Sequence, residues 1–318
     1  MTSISPLNEA GAGKIDAALS ASIDAVAQIV LGKRHQISMA MCCLLARGHL
    51  LIEDLPGMGK TTLSHTLGQV LGLEHQRIQF TSDMLPSDVI GASIYDKNSG
   101  EFRFIKGPIF AQLLLADEVN RTTPKTQSAL LEAMEERQVT VDGVAYTLPE
   151  PFFVIATQNP VSQSGTYPLP ESQLDRFLMR IELGYPDEQA EREMLTKGSG
   201  RQQLASLKSC IGLQSLLALQ ARVDQVRASE VLLDYLQRLI NYSRTSSDFA
   251  YGLSPRGSLA LLQAAKAWAL IEGRNHVIPE DLQTVLPAVA AHRLESSTSG
   301  QNSGKALVAQ MLDAVAVI

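Results

Sequence analysis

The feature that most constrains this chain is the junction Leu50-Leu51-Ile52-Glu53-Asp54-Leu55-Pro56-Gly57-Met58-Gly59-Lys60-Thr61-Thr62. An apolar run of buried-strand length enters a glycine turn, and helical periodicity continues through Leu63, Leu67, Val70 and Leu71. Strand, glycine turn and helix in that order make a phosphate cradle. Loop N–H groups and the positive helix end surround the anion. Pro56, Gly57, Met58, Gly59, Lys60, Thr61 and Thr62 are the candidate binding loop. Gly57 and Gly59 allow the loop dihedrals and a close backbone approach. Lys60 is placed to reach the β and γ oxygens of a nucleoside triphosphate, and the Thr61 hydroxyl to hold Mg²⁺. One position departs from the G-x-x-x-x-G-K-[ST] pattern: Asp54 stands where its first glycine is expected.

A second junction has matching chemistry. Leu113-Leu114-Leu115-Ala116-Asp117-Glu118 is an apolar strand ending in two carboxylates. Asp117 suits the Mg²⁺ shell, and Glu118 suits polarisation of an attacking water.

Further strand-like runs at 77–80, 112–116, 152–156 and 177–183 alternate with helical stretches such as 124–137. That alternation implies a mostly parallel sheet covered on both faces. Two hairpins interrupt it, 94–104 around Lys97-Asn98-Ser99-Gly100 and 139–148 around Asp142-Gly143. Past Tyr185-Pro186-Asp187 the periodicity is helical, with Asp224 or Ser229 and Ser258 as helix starts and no strand expected. A last helix is expected from about Ala306. The reading is a flexible tail over 1–14, an α/β domain over 15–185 and a helical domain over 186–318. The chain's first two helices, about 14–31 and 34–46, meet at Leu31-Gly32.

A length of 318 residues suits two domains. A net charge of −6, with one Trp, seven Tyr and eight Phe, disfavours nucleic acid as substrate. Cys42, Cys43 and Cys210 offer neither a disulfide framework nor zinc spacing. The amino terminus has no signal-peptide pattern, and no apolar run is long enough for a membrane span. A cytoplasmic location is expected.

With the loop 53–61 and Ala116-Asp117-Glu118-Val119-Asn120-Arg121-Thr122, three more stretches are specific. They are the helix 125–136 (Lys125 to Glu136), Ala156-Thr157-Gln158-Asn159-Pro160, and Leu169-Pro170-Glu171-Ser172-Gln173-Leu174-Asp175-Arg176-Phe177. Ser254-Pro255-Arg256 completes the set. Together they resemble the MoxR family of AAA+ ATPases, in which the first loop glycine is usually missing. The resemblance implies an α/β AAA+ P-loop domain with a parallel sheet and two β-hairpin insertions, followed by an all-helical lid domain. It implies ATP and Mg²⁺ as ligands, with Lys60, Glu118 and Asn159 catalytic and Asn159 orienting the hydrolytic water. Arg256 is expected to reach the γ-phosphate from the lid of the same chain. Arg176 is expected to project to a neighbour's nucleotide as an arginine finger, with Arg121 and Arg137 as rivals. Leu31 and Gly32 fall where the family places adenine.

The implied assembly is a homo-oligomer, a hexameric ring, whose hairpins face the pore. It would remodel a protein client or mature a metal centre or complex, together with a von Willebrand factor A domain partner. The hairpin tips carry no aromatic residue. The alternatives are a DNA-directed motor akin to the helicase and Mg-chelatase relatives, and a nucleotide-gated interaction module.

Overall fold

The computed structural model describes residues 9–98, 100–159, 165–197, 204, 207–297 and 303–317. Helices α1 (Glu9–Ala27) and α2 (Arg34–Leu45) precede β1 (Leu50–Glu53), and α3 (Lys60–Val70) follows it. Then come β2 (His75–Gln79), α4 (Pro86–Ile90), and a hairpin of β3 (Gly91–Asp96) and β4 (Glu101–Lys106). Next are β5 (Leu113–Asp117), α5 (Pro124–Glu136), and a second hairpin of β6 (Gln138–Val141) and β7 (Val144–Thr147). The sheet is completed by β8 (Phe153–Gln158) and, after α6 (Glu171–Leu174), by β9 (Met179–Ile181).

The five-stranded sheet has the order β2-β5-β8-β1-β9, and every neighbouring pair is parallel. Its strands are buried on both sides, and the side-chain period of two sorts them into two cores. Leu50, Ile52, Leu113, Leu115, Phe153 and Ile155 face α1, α2 and α3. Leu51, Leu114, Ala116, Val154 and Ala156 face the other way, against Leu130, Leu131 and Met134 of α5.

The helical part comprises α7 (Glu188–Lys197), α8 (Leu213–Gln225), α9 (Glu230–Thr245), α10 (Pro255–Ile271), α11 (Pro279–Ala290) and α12 (Gly304–Ala314). Its apolar residues continue the first core rather than forming a separate one: Leu216, Val223, Leu261 and Leu282 belong to the same cluster as Ile37 and Leu44 of α2. Among the described residues no helix is long and apolar enough to cross a membrane.

Several local expectations change. The first helix begins at Glu9, while residues 1–8 of the expected tail lie outside the described residues. Ser229 caps α9, its hydroxyl accepting from the Leu232 N–H, but α10 is capped by Ser254, not Ser258. Proline at the first helical position sets that start. Asp224 ends α8 instead of starting a helix, and its carboxylate pairs with Arg47 at 2.7 Å. A short antiparallel ladder, β10 (Phe249–Tyr251) with β11 (Glu295–Ser296), interrupts the helical part.

Both expected hairpins form. Asp142 and Gly143 both take positive φ, 50° and 79°, as a type I′ turn requires. Tyr95 and Phe102 face each other one pair back from the first tip, exposed, with ring centroids 5.4 Å apart. That hairpin therefore carries its aromatics on the stem.

His49, just before β1, ties the sheet to α5. Its Nδ1 accepts from the Val154 N–H at 3.0 Å, so Nε2 carries the proton and donates to the Met134 carbonyl at 3.2 Å. Burial lowers its pKa from 6.5 to about 4. The unfolded chain therefore takes up a proton here at a pH where the native protein does not. Stability is full above pH 6.5 and is lost as pH falls toward 4. Denaturant titrations should show His49 contributing a loss of about 2 kcal/mol between pH 7 and 5, and His49→Gln should flatten that slope.

Candidate active site

The phosphate loop closes the carboxyl end of β1. Gly57 and Gly59 have φ of 86° and 88°, and no atom lies within 4 Å of where a Cβ would stand on either. Backbone conformation alone therefore requires glycine there. Lys60 opens α3, and its ammonium donates to the Asp54 carbonyl at 2.6 Å and to Asn159 Oδ1 at 3.0 Å. Burial pulls its pKa down, while Asp54, Asp117 and Glu118 push it up. Thr61 is exposed beside the cradle, and Met58 packs partly on the core below.

Asp54 explains the missing glycine. One carboxylate oxygen accepts from the Leu55 N–H at 2.8 Å. The other accepts from the Leu183 and Gly184 N–H groups, both at 2.7 Å. The loop is thus fastened to the segment leading into the helical part. Lys33 extends the fastening by donating to the Tyr185 carbonyl at 2.6 Å. Gly32, with φ of 68°, lies so close to α7 that a Cβ would come within 2.8 Å of Ala190. Gly32 therefore lies against Asp187 and Ala190, just past the segment 183–185 to which the loop is fastened.

Parallel pairing brings the acids and Asn159 to the loop. Leu113 is level with Phe153, and Glu53 with Gln158, so the carboxyl ends of β5, β8 and β1 share one edge. Asp117 accepts from the Thr157 hydroxyl at 2.6 Å and pairs with Arg77 at 2.7 Å. Glu118 occupies the left-handed region, φ 57° and ψ 48°, with its N–H donating to Thr157 Oγ1 at 2.9 Å. For a non-glycine residue this is a strained conformation of the kind found at functional sites. Its two oxygens are held by three donors: Asn159 Nδ2 at 3.0 Å on one, Gln79 Nε2 at 2.9 Å and Arg121 Nη1 at 2.8 Å on the other. The Thr61 hydroxyl and the Asp117 carboxylate are hard oxygen donors of the kind that Mg²⁺ takes, so these two residues would fit that ion.

Arg176 and Arg256 lie at the other edge. The Leu178 N–H donates to the His49 carbonyl, which places Arg176 level with the start of β1. Arg176 donates to the Leu131 carbonyl at 2.8 Å and pairs with Glu135 at 3.1 Å. Arg256 pairs with the same Glu135. From Gly48 to Asp54 the extended chain spans about 20 Å. Arg256 therefore does not reach the phosphate cradle of its own chain, as the lid sensor was expected to. Its helix start packs on α5 and on the turn before β9. Arg121 is engaged with its own chain's Glu118, whereas Arg137 borders the same cleft as Arg176.

Sequence reasoning missed Gln79, Arg77, Thr157 and Arg293. The alternation Arg77-x-Gln79 on β2 was the available sign, since those positions share a face and pair beside Leu115 and Asp117. Arg293 gave no sign. Its side chain is nearly buried three residues past the end of α11, with Nε on Asp175 at 2.6 Å and other N–H groups on the Phe177 and Leu178 carbonyls. Burial lowers its pKa and Asp175 raises it.

Residues 49–179 match the profile of the ATPase family associated with various cellular activities (AAA), and residues 241–311 match the AAA lid domain. The chain is 40% identical to Chaperone MoxR1 of Mycobacterium tuberculosis over 307 residues, 92% of this chain and 81% of that protein. It belongs to the MoxR family of AAA+ ATPases. The uncharacterized protein YeaC of Bacillus subtilis is 43% identical over 94% of both chains. Protein MoxR of Paracoccus denitrificans is 31% identical over 90% of this chain and 91% of its own. A crystal structure from Cytophaga hutchinsonii, described as a candidate ATPase, superposes with a TM-score of 0.89 at 36% identity. It covers 96% of this chain and 97% of that one.

Asp54 yields a test of the loop architecture. Restoring the common glycine with Asp54→Gly strands the buried Leu183 N–H and unties Gly184. It should destabilise the fold by about 1–3 kcal/mol in denaturant titrations, although the variant matches the general loop pattern better.

Proposed function

We propose that the chain hydrolyses Mg-ATP in a ring of identical subunits, each active site being completed by a neighbour. The observation that carries this is the division of the charged and polar residues between the two ends of one parallel sheet. Lys60, Asp117, Glu118 and Asn159 stand at the carboxyl edge, and Arg176 and Arg256 at the amino edge.

In this reading Pro56 to Thr62 wrap the phosphates, and Lys60 exchanges the Asp54 carbonyl and Asn159 for the β and γ oxygens. Thr61 and Asp117 hold Mg²⁺, which neutralises phosphate charge when bound. Glu118 polarises the water and accepts its proton, and Asn159 keeps the carboxylate oriented through their existing hydrogen bond. Leu31 and Gly32 border the base. Arg176 acts on the neighbour's γ-phosphate, and Arg256 acts there with it, so the lid sensor also serves in trans. An arginine so placed contributes about 10³–10⁵ in rate, or roughly 4–7 kcal/mol.

The ring is a hexamer acting on a protein client with a von Willebrand factor A domain partner. Membership of a family that includes Chaperone MoxR1 supports a chaperone-like role, and the net charge of −6 favours protein over nucleic acid. Glu118→Gln should keep ATP affinity and lose turnover by about 10²–10⁴. Arg176→Ala should also be inactive, while an equimolar mixture with Glu118→Gln regains turnover, because mixed interfaces combine an intact Glu118 with an intact Arg176. Full turnover by Arg176→Ala alone overturns the shared site, and native mass measurement with ATP tests the sixfold assembly.

A further inference from the structure

One charged group at the amino edge has no part in that mechanism. Glu135, in the last turn of α5, gives Oε2 to Arg176 at 3.1 Å and Oε1 to Arg256. A single carboxylate thus holds two arginines that come from different parts of the fold, one from the turn before β9 and one from the start of α10. Asp175 completes the cluster, with Oδ1 on Arg293 at 2.6 Å and Oδ2 3.8 Å from Arg256. Three guanidiniums therefore meet two carboxylates beside an open cleft of about 500 Å³, which Arg47 and Arg137 also border. Arg293 is fixed by burial and backbone carbonyls. Among the described residues, Arg256 is half exposed and, apart from the more distant Asp175, is held by Glu135 alone.

We infer that Glu135 is a positioning residue that sets the spacing of Arg176 and Arg256, so that a subunit presents them as a pair to the phosphate of its neighbour. The inference rests on the shared-site reading. Two guanidiniums side by side repel, and an anion giving one oxygen to each removes the repulsion while fixing both. Only a carboxylate does this. A glutamine of the same shape has one acceptor oxygen, and its NH₂ would face a guanidinium donor to donor, so it holds one arginine and releases the other. Glu135 does not itself approach phosphate. Its own chain's cradle is at the far edge of the sheet, and toward a neighbour's nucleotide its charge has the wrong sign.

The experiment is steady-state ATP hydrolysis and ATP binding by the full chain carrying Glu135→Gln. Turnover should fall at least about tenfold while KM and ATP affinity stay within about twofold, since the residue's own cradle is intact. Adding Glu118→Gln chains should restore turnover as it does for Arg176→Ala, because the defect lies in what the subunit offers its neighbour. Glu135→Gln combined with Arg176→Ala should be no slower than Arg176→Ala alone. Unchanged turnover in Glu135→Gln overturns the inference. So does a loss that Glu118→Gln chains do not rescue, and so does a multiplicative loss in the double variant. Arg176→Ala and Arg256→Ala measured alongside separate the two failures. If both retain turnover, the shared site itself is wrong. If they lose it and Glu135→Gln does not, only the role of Glu135 is.

Discussion

Parallel pairing of β1 with β8 and with β9 is the constraint on which everything else rests. In a parallel sheet all carboxyl ends lie on one edge, and the pairing of Glu53 with Gln158 delivers Asn159 to the loop after β1. The pairing of Leu50 with Met179 has the opposite effect on Arg176. It stands before β9 and is therefore held at the amino edge, about a strand length from the cradle. No rotamer of Arg176 or Arg256 undoes that separation. One hydrogen-bond register thus sets Asn159 beside the loop at one end of the subunit and Arg176 at the other.

The polar groups at both edges are engaged by their own counter-charges and hydrogen-bond partners. Lys60 rests on Asp54 and Asn159, Glu118 on Asn159, Gln79 and Arg121, and the arginine pair on Glu135. Polar groups this close to a core are costly when left unpaired, so each engages the nearest partner. In the proposed function, binding is an exchange of partners, with little net desolvation on the protein side. Glu118, held in a left-handed backbone conformation, is the member with the least freedom to drift.

Most of the carboxyl-edge half was legible in the sequence because its residues are contiguous with their strands. Lys60, Thr61, Asp117 and Glu118 each stand directly after an apolar run or its glycine turn, so the run marks their position. Gln79 and Thr157 were less visible. A polar residue on a half-buried strand has an ordinary solvent-facing reading, and only register shows it beside a carboxylate. The edge at which Arg256 stands was not legible, since which edge α10 packs against depends on the core shared with α2. The Ser254 cap was missed through Pro255, whose fixed φ suits the first helical turn and moves the start four residues upstream of Ser258. Arg293 is a long-range bolt: apart from the Val289 carbonyl, its acceptors lie more than a hundred residues away, with no local pattern to mark it.

The fastening of Asp54 to Leu183 and Gly184 carries a consequence for how this sequence can change over time. The first loop position and the segment after β9 cannot drift independently. An acceptor is needed at 54 for as long as the chain at 183–184 turns its N–H groups inward, and that chain has no other partner for them once the acceptor is gone. Substitutions at these sites should arise as a linked set. A nucleotide loop transplanted from a glycine-first ATPase would have to bring its own version of the distant segment with it.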